Sequence, residues 1–253
     1  MIFGQKIPCY VIVFEQTEII KKTLEFLSKY TDKIDLIIIE NPSDNSVEIK
    51  KLIDSFGEQG HIKRHYIFDE NITGNAYSVV IEHEANFIKR HKYVILTDGD
   101  ITSENTDWLE EQKRIIKHKE VFACGITLDT ANLPLKTFPD AKGWIPADMN
   151  ETSNYYEAYT GVHLLLIRSK DLLGFMNWKK QQNLSFVDGN IHAYCYEQAH
   201  KKWTRTKNAK AYHLTWDLYH DRNHPYTKFK LAKTFKTMWY HQKTADFTVR
   251  EFK

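Results

Sequence analysis

The segment Tyr93-Val-Ile-Leu-Thr-Asp-Gly-Asp100 carries an unbroken apolar and β-branched run into two carboxylates one glycine apart. Residues 94–97 have the pattern of a strand buried on both faces. An open α/β sheet binds its ligands at the carboxyl ends of its strands, which is where Asp98 and Asp100 fall. Side chains of extended backbone alternate with a period of two, so both carboxylates point the same way, and Gly99 between them lets a substrate or ion approach the backbone. Held this close they repel unless a cation or a proton lies between them, so a divalent metal is the natural partner. Asp100→Ala, which removes one of the pair, is then expected to leave the melting temperature of the metal-free protein nearly unchanged. A polar turn after a strand has the same letters, since Asp and Gly are common in turns.

Working outward, residues 7–14, 34–39 and 62–68 read as apolar strands. Helical patterns follow at 18–30, where Ile19, Ile20, Leu24, Phe26 and Leu27 form the apolar stripe, and at 46–56 and 73–90. Strand–helix repeats of roughly 30 residues predict an α/β fold, a mostly parallel central sheet with helices on both faces. Beyond Asp100 the pattern predicts a helix at 106–118 opened by Asp107, Glu110 and Glu111, and a strand at 121–127. Residues 128–158 have no periodicity and contain Pro134, Pro139, Gly143 and Pro146; so long a loop in a compact domain is usually functional or mobile. A strand at 159–168, a helix at 187–202, a short strand at 209–214 and a basic helix at 225–240 complete the reading. No linker divides the chain. We read one domain over 1–253, in three parts: 1–127, 128–220 and a C-terminal helical extension (221–253).

At 253 residues, 42% apolar and 27% charged, with 10 Gly and 6 Pro, the chain is long enough for a substantial core and is not a disordered polymer. A net charge of +2 argues against nucleic acid as a partner. The 13% aromatic share suits a substrate containing sugars or bases, on which ring faces stack, although core packing also uses aromatics. Cys9, Cys124 and Cys195 have neither redox nor metal-finger spacing and read as reduced core residues of a cytoplasmic protein. No signal peptide is expected from Met1 onward, and no apolar run approaches the ~18 residues of a spanning helix.

Several stretches together resemble GT-A fold glycosyltransferases of the broad family 2 type. Val11-Ile-Val-Phe-Glu15 takes the place of that family's first strand, and Ile37-Ile-Ile-Glu-Asn-Pro-Ser-Asp44 is similar to its strand followed by an acidic residue. Asn71-Ile-Thr-Gly74 resembles the segment before its third helix, and Tyr93 to Asp100 its strand and D-x-D. Tyr159-Thr-Gly-Val-His-Leu-Leu-Leu-Ile-Arg168 looks like its strand ending in arginine, and Phe186-Val-Asp188 stands where its Glu-Asp motif does. The order is kept over about residues 8–215. Two departures stand out: Val13, Phe14, Glu15 and Gln16 replace the usual Pro-Thr-Tyr-Asn, and Val187 replaces the motif's Glu.

The resemblance implies a metal-dependent transfer of a sugar from a nucleotide-diphosphate donor, UDP-sugar first among them, to a hydroxyl on a glycan or lipid-linked acceptor. It makes 1–127 the nucleotide-binding half and 128–220 the acceptor and catalytic half, and places the nucleotide against Val13, Phe14, Glu15, Glu40, Asn71, Gly74, Thr97, Asp98 and Gly99, with Glu40 at the base. It assigns Mn²⁺ or Mg²⁺ to Asp98, Asp100 and a late histidine, His213, and the general base of an inverting reaction to Asp188. Asp188 equally suits a plain helix N-cap. Trp144, Asp148 and Trp216 are candidates to frame the sugars. Lys228, Lys230, Lys233 and Lys236 could reach phosphates or an anionic membrane surface, although a solvated basic face has the same pattern. Two other classes stay open. D-x-D-x-T after an apolar strand also occurs in haloacid dehalogenase-type phosphatases, with Asp98 as nucleophile and Asp100 as acid, and a non-catalytic sugar-binding module would keep the fold without the chemistry.

Overall fold

A computed structural model of the chain describes residues 5–145, 148–158, 160–232 and 242–252. The first half follows the apolar runs closely. β1 (Ile7–Val13), α1 (Thr17–Ser28), β2 (Ile34–Glu40), α2 (Ser46–Glu58) and β3 (Ile62–Phe68) are succeeded by α3 (Asn75–His83) and α4 (Ala85–Ile88), which split the predicted helix at 73–90. β4 (Tyr93–Asp98), the short β5 (Ile101–Thr102), α5 (Trp108–Ile115) and β6 (Val121–Leu128) follow. In the second half come a 3-10 helix at Pro139–Trp144, the hairpin β7 (Asp148–Glu151) and β8 (Tyr156–Ala158), and β9 (Leu165–Arg168). Then come α6 (Ser169–Gln181), α7 (Asp188–Ala193), a π-turn at Tyr194–Gln198, β10 (Lys202–His213), a 3-10 helix at Leu214–His220, α8 (Pro225–Leu231) and β11 (Phe247–Glu251).

The described strands form one sheet in the order β11-β3-β2-β1-β4-β9-β6-β10-β8-β7, with β5 pairing β10. β1, β2, β3 and β4 are mutually parallel, and β6 runs parallel to β10. β9 lies antiparallel between β4 and β6, so the sheet is mostly but not purely parallel. Alternation along the central strands divides the core in two, as a two-period strand requires. Cys9, Val11, Leu36, Ile38 and Ile95 pack under α1, α2 and α5, while Tyr10, Ile37, Ile39, Val94 and Leu96 pack under α3, α6 and α7. Arg168 clips β9 in place by donating to the carbonyls of Ile116, His118 and Val121. Its charge thus meets the carbonyl-rich C-terminal end of α5, where a cation is favoured.

The second half departs from the sequence pattern where tertiary bonds replace local ones. The short strand predicted at 209–214 is the tail of β10, whose pairing with β6 slips between Arg205 and Lys210. Glu111, buried on α5, holds the slipped segment by accepting the amides of Lys207 (2.8 Å), Asn208 (3.0 Å) and Ala209 (2.8 Å). The predicted helix at 187–202 changes to a π-turn after Ala193 and ends at Gln198, just before His200, whose φ is +49°. α6 lies in a stretch whose pattern Gly174 dilutes, a residue unfavourable in a helix interior. The loop expected at 128–158 contains the β7–β8 hairpin, and all four β7 side chains are exposed, so no alternation marked it. At the other end, β11 extends the sheet antiparallel to β3 where a helical extension was expected. The predicted helix at 225–240 is seen as α8; the rest of it, with Lys233 and Lys236, lies outside the described residues. No described helix is long and apolar enough to cross a membrane. Cys9, Cys124 and Cys195 are buried and free.

Candidate active site

The carboxyl ends of β1 and β4, the segment entering β9, the N-terminus of α7, the end of β10 and α8 surround one cleft of about 700 Å³. The sequence brought there without any local pattern is the key to it. β5 turns back after Asp100 and pairs His213 with Ile101, and the Leu214 amide donates to the Asp100 carbonyl at 2.7 Å. This sets the His213 Nδ1 3.6 Å from the Asp100 Oδ2. The Thr215 hydroxyl donates to Asp100 Oδ2 at 2.7 Å and lies 3.1 Å from His213 Nδ1. Trp216 stacks on His213, centroids 4.8 Å apart and planes 6° from parallel, which fixes the imidazole.

His163, for which no role is predicted from sequence, completes the group. The Val162 carbonyl accepts the Asp98 amide and the His163 carbonyl accepts the Ile126 amide, stapling the segment before β9 across β4 and β6. His163 Nδ1 then lies 3.6 Å from Asp98 Oδ2, and its ring meets His213 edge-on at 5.1 Å. A Cβ at Gly161 would fall 2.6 Å from His163 Nε2 and 3.2 Å from Asp188 Oδ2, so only glycine allows these groups to close around it. A histidine inside the apolar run 162–167 was the available signal. Gly99 is also explained by a close approach, but of the chain itself: a Cβ there would lie 2.9 Å from the Ile12 carbonyl of β1.

The two carboxylates of the D-x-D differ. Burial and the neighbouring Asp100 and Asp188 carboxylates push the Asp98 carboxyl well above the usual range, against a smaller pull from Lys230. Burial also works against ionisation of Asp100, but His213, the Thr215 hydroxyl, His163 and Lys230 outweigh it and hold that carboxyl low. Burial raises Asp188 to about 6 and lowers His163 to about 3; His213 is also lowered, by burial first, so both imidazoles are neutral near pH 7. A carboxyl with a raised folded-state value contributes stability at low pH that is lost as pH rises through that value. Asp98→Asn, fixed in the neutral form, should therefore raise the melting temperature of the metal-free protein at pH 7.5, with the gain shrinking toward pH 4. Thermal unfolding across that pH range checks this, and a lower melting temperature at pH 7.5 would contradict it.

Of the sequence candidates, Val13, Phe14, Asn71, Gly74, Asp98, Gly99, Asp100, Asp188, His213, Trp144 and Trp216 line the cleft. Glu40 does not: its buried carboxylate is 2.8 Å from His65 Nε2, and Asn41 takes its place on the wall. Asn41 donates to the Thr73 carbonyl and accepts the Ile72 amide, holding Thr73 at a φ of +54°. Glu15, at +63°, stands just behind the wall between Phe14 and Gln16, its Oε2 buried without a hydrogen-bond partner. Left-handed non-glycine residues cost on the order of 1–3 kcal/mol and collect at functional sites. Thr97 is buried, its carbonyl accepting the Tyr77 hydroxyl at 2.7 Å. Asp148 faces away, paired with Arg205 at 2.6 Å on the β7–β10 side. Val187, not Asp188, is the N-cap of α7, with no side-chain cap bond. Lys230 of α8 reaches into the cleft, its ammonium lowered by burial against the pull of Asp100, Asp98 and Glu15. The sequence had placed it on a solvated face or against phosphates.

The donor set fits a divalent cation in type. Oxygen from Asp98 and Asp100 with one imidazole suits Mn²⁺ or Mg²⁺, and the buried Asp100 Oδ1 has no hydrogen-bond partner. No three His, Cys, Asp or Glu side chains are preassembled for a metal among the described residues, so Asp98, Asp100 and His213 would have to close on the ion, with further ligands from a substrate or water.

No family model matches the chain. It is similar to uncharacterized proteins of Acanthamoeba polyphaga mimivirus. One is 41% identical over 252 residues, covering 98% of this chain and 51% of that protein; a second is 41% identical over 251 residues, covering 97% and 34%. The chain thus spans about half the length, or less, of these curated relatives. Among solved structures it resembles the mannosyltransferase PcManGT from Pyrobaculum calidifontis, in complex with GDP-Man and Mn²⁺, at a TM-score of 0.52 and 11% identity over 83% of this chain and 57% of that one. GalNAc-T7, with UDP, GalNAc and Mn²⁺, matches at 0.56 and 13% identity over 82% and 43%. The fold is the GT-A glycosyltransferase fold.

Proposed function

We propose that the chain is a metal-dependent glycosyltransferase that moves a sugar from a nucleoside diphosphate to a hydroxyl acceptor with inversion. The observation that carries this is the meeting of Asp98, Asp100, His213 and Asp188 in one cleft of a glycosyltransferase fold. The nucleoside lies along Val13, Phe14, Asn41, Asn71 and Gly74, and the diphosphate at Asp98 and Asp100 with Lys230 opposite. Asp100, with Asp98 and His213, would hold Mn²⁺ or Mg²⁺, which when bound would supply Lewis-acid neutralisation of the diphosphate. Asp188 takes the proton of the acceptor hydroxyl as its oxygen bonds to the anomeric carbon; the bond from that carbon to the diphosphate oxygen breaks, and its electron pair leaves with the diphosphate. A value near 6 keeps Asp188 ionised at neutral pH yet basic enough to accept the proton. His163, neutral, lies with its Nδ1 3.6 Å from Asp98 Oδ2 and lines the same cleft as Asp188.

The test is to incubate the full chain and Mn²⁺ with a panel of UDP- and GDP-sugars and follow nucleoside diphosphate release. Slow hydrolysis of one donor, abolished by EDTA, is the expected result. Release of phosphate from simple esters instead would favour the phosphatase, and a thermal shift with no turnover, in any acceptor, the sugar-binding module.

A further inference from the structure

Three basic stretches, Lys89-Arg90-His91-Lys92, Lys117-His118-Lys119 and His200-Lys201-Lys202, stand far apart in sequence, and each leads into a strand: β4, β6 and β10. The sheet order β4-β9-β6-β10 sets these strand entrances side by side, three strand spacings or roughly 14 Å across, at the end of the sheet opposite Asp98 and the cleft. Register makes the front level. Val94 and Ala123 both pair with Ile167 of β9, and Val121 pairs with Lys202, so the three entrances differ in height by about one residue, roughly 3.4 Å. Backbone bonds join the loops. The Ser169 amide donates to the Lys92 carbonyl at 3.1 Å and the Lys202 amide to the Glu120 carbonyl at 2.8 Å, while Arg168 holds the carbonyls of Ile116, His118 and Val121.

We propose that this front docks the protein on the surface of an anionic lipid bilayer, with the cleft turned away from the lipid. Lys89, Arg90, Lys92, Lys117, Lys119 and Lys170 are exposed, and among the described residues none of the six has a carboxylate partner. Carboxylates beside them are already engaged, Asp171 by Lys201 at 2.6 Å and Glu157 by Lys202 at 3.1 Å. The whole chain carries only +2, so collecting these cations at one end leaves the remainder net acidic. The molecule is therefore electrically polar, and an anionic plane attracts this end first. Three observations favour a bilayer over a nucleic acid. A level front matches a plane better than a groove or a rod. Five of the six cations are lysines, hydrated point charges that suit a diffuse surface potential, where forked phosphate contacts would use arginine. The nearby rings of Phe87 and Tyr93 are covered by Arg64 and Lys92, so bases find no open ring to stack on. β4 rises roughly 20 Å from its entrance to Asp98, which holds the cleft clear of the docked surface.

The experiment sediments the full chain with vesicles of phosphatidylcholine alone, or with about one third phosphatidylserine, in about 0.1 M and about 0.5 M NaCl. Binding is expected to the anionic vesicles at low salt, with most of it lost at high salt and none on phosphatidylcholine. Each cation near an anionic surface is worth about fivefold in affinity, so Lys117→Gln combined with Lys119→Gln should weaken binding by at least about tenfold. Both sites are exposed, so the melting temperature should not change. Lys228→Gln, on the exposed side of α8 at the other end of the sheet, should bind vesicles as the parent does. No binding to anionic vesicles, binding indifferent to salt or to the paired substitution, or binding lost with Lys228→Gln would each overturn the proposal. The same chain is titrated with fluorescent RNA and DNA duplexes; binding to either that the paired substitution weakens, with no binding to vesicles, would assign the front to nucleic acid and overturn it as well.

Discussion

Asp188→Asn should lower the rate of transfer by roughly 10²–10⁴-fold while leaving nucleotide affinity almost intact, because a general base contributes in the transition state and not to ground-state binding. Stability should not fall. The N-cap of α7 is Val187, so no capping bond is lost, and burial already disfavours the ionised carboxylate. By the linkage sign, a carboxyl raised to about 6 costs stability above that pH, so the neutral Asn should leave the melting temperature equal or higher at pH 7.5. The parental rate should decline as pH falls through about 6, where the base becomes protonated. Initial rates from pH 5 to 8, with melting curves of both proteins, check this. Near-parental transfer by the Asn variant would remove the base assignment and the preference for inversion together.

Asp100→Ala should have the other large effect, abolishing turnover and also destabilising the metal-free protein by about 1–3 kcal/mol, the range for leaving buried polar partners unmet. The expectation that one of two repelling carboxylates can be removed without harm, stated from sequence for Asp100, applies to Asp98 only. Asp100 accepts the Thr215 hydroxyl and faces His213, and its depressed value means that it stabilises the fold above the usual carboxylate range, an effect lost as pH falls through the folded-state value. Asp100→Ala should therefore melt below the parent at pH 7.5, with the difference narrowing in acid. Equal melting temperatures at pH 7.5 would contradict this electrostatic account.

The first half of the fold was legible because strands such as 34–40 and 93–98 are continuous apolar runs that announce themselves without their neighbours. The second half was not, because its strands are defined by distant partners. β10 changes register on Glu111, β9 is antiparallel inside a parallel neighbourhood, and β7 has no buried face. The site shows the same division. Asp98, Asp100 and Asp188 stand at ends of elements that local pattern locates, and His213 was found through its place near a late strand. His163 arrives by backbone bonds from β4 and β6, and Lys230 by α8 folding over the cleft; nothing within a few residues of either says so. Glu40 was misplaced for a related reason: its side chain alternates toward His65 on the neighbouring strand, while the next residue, Asn41, turns to the cleft.

The central claim, that this cleft is a metal-dependent nucleoside diphosphate site, is tested most directly by calorimetric titration of the full chain with UDP and with GDP, first in Mn²⁺ and then in EDTA. The account predicts that one of the two binds at least about tenfold more tightly with Mn²⁺ than without, a difference that Asp100→Ala removes. Equal affinity in EDTA, or no binding of either nucleotide in Mn²⁺, would contradict it.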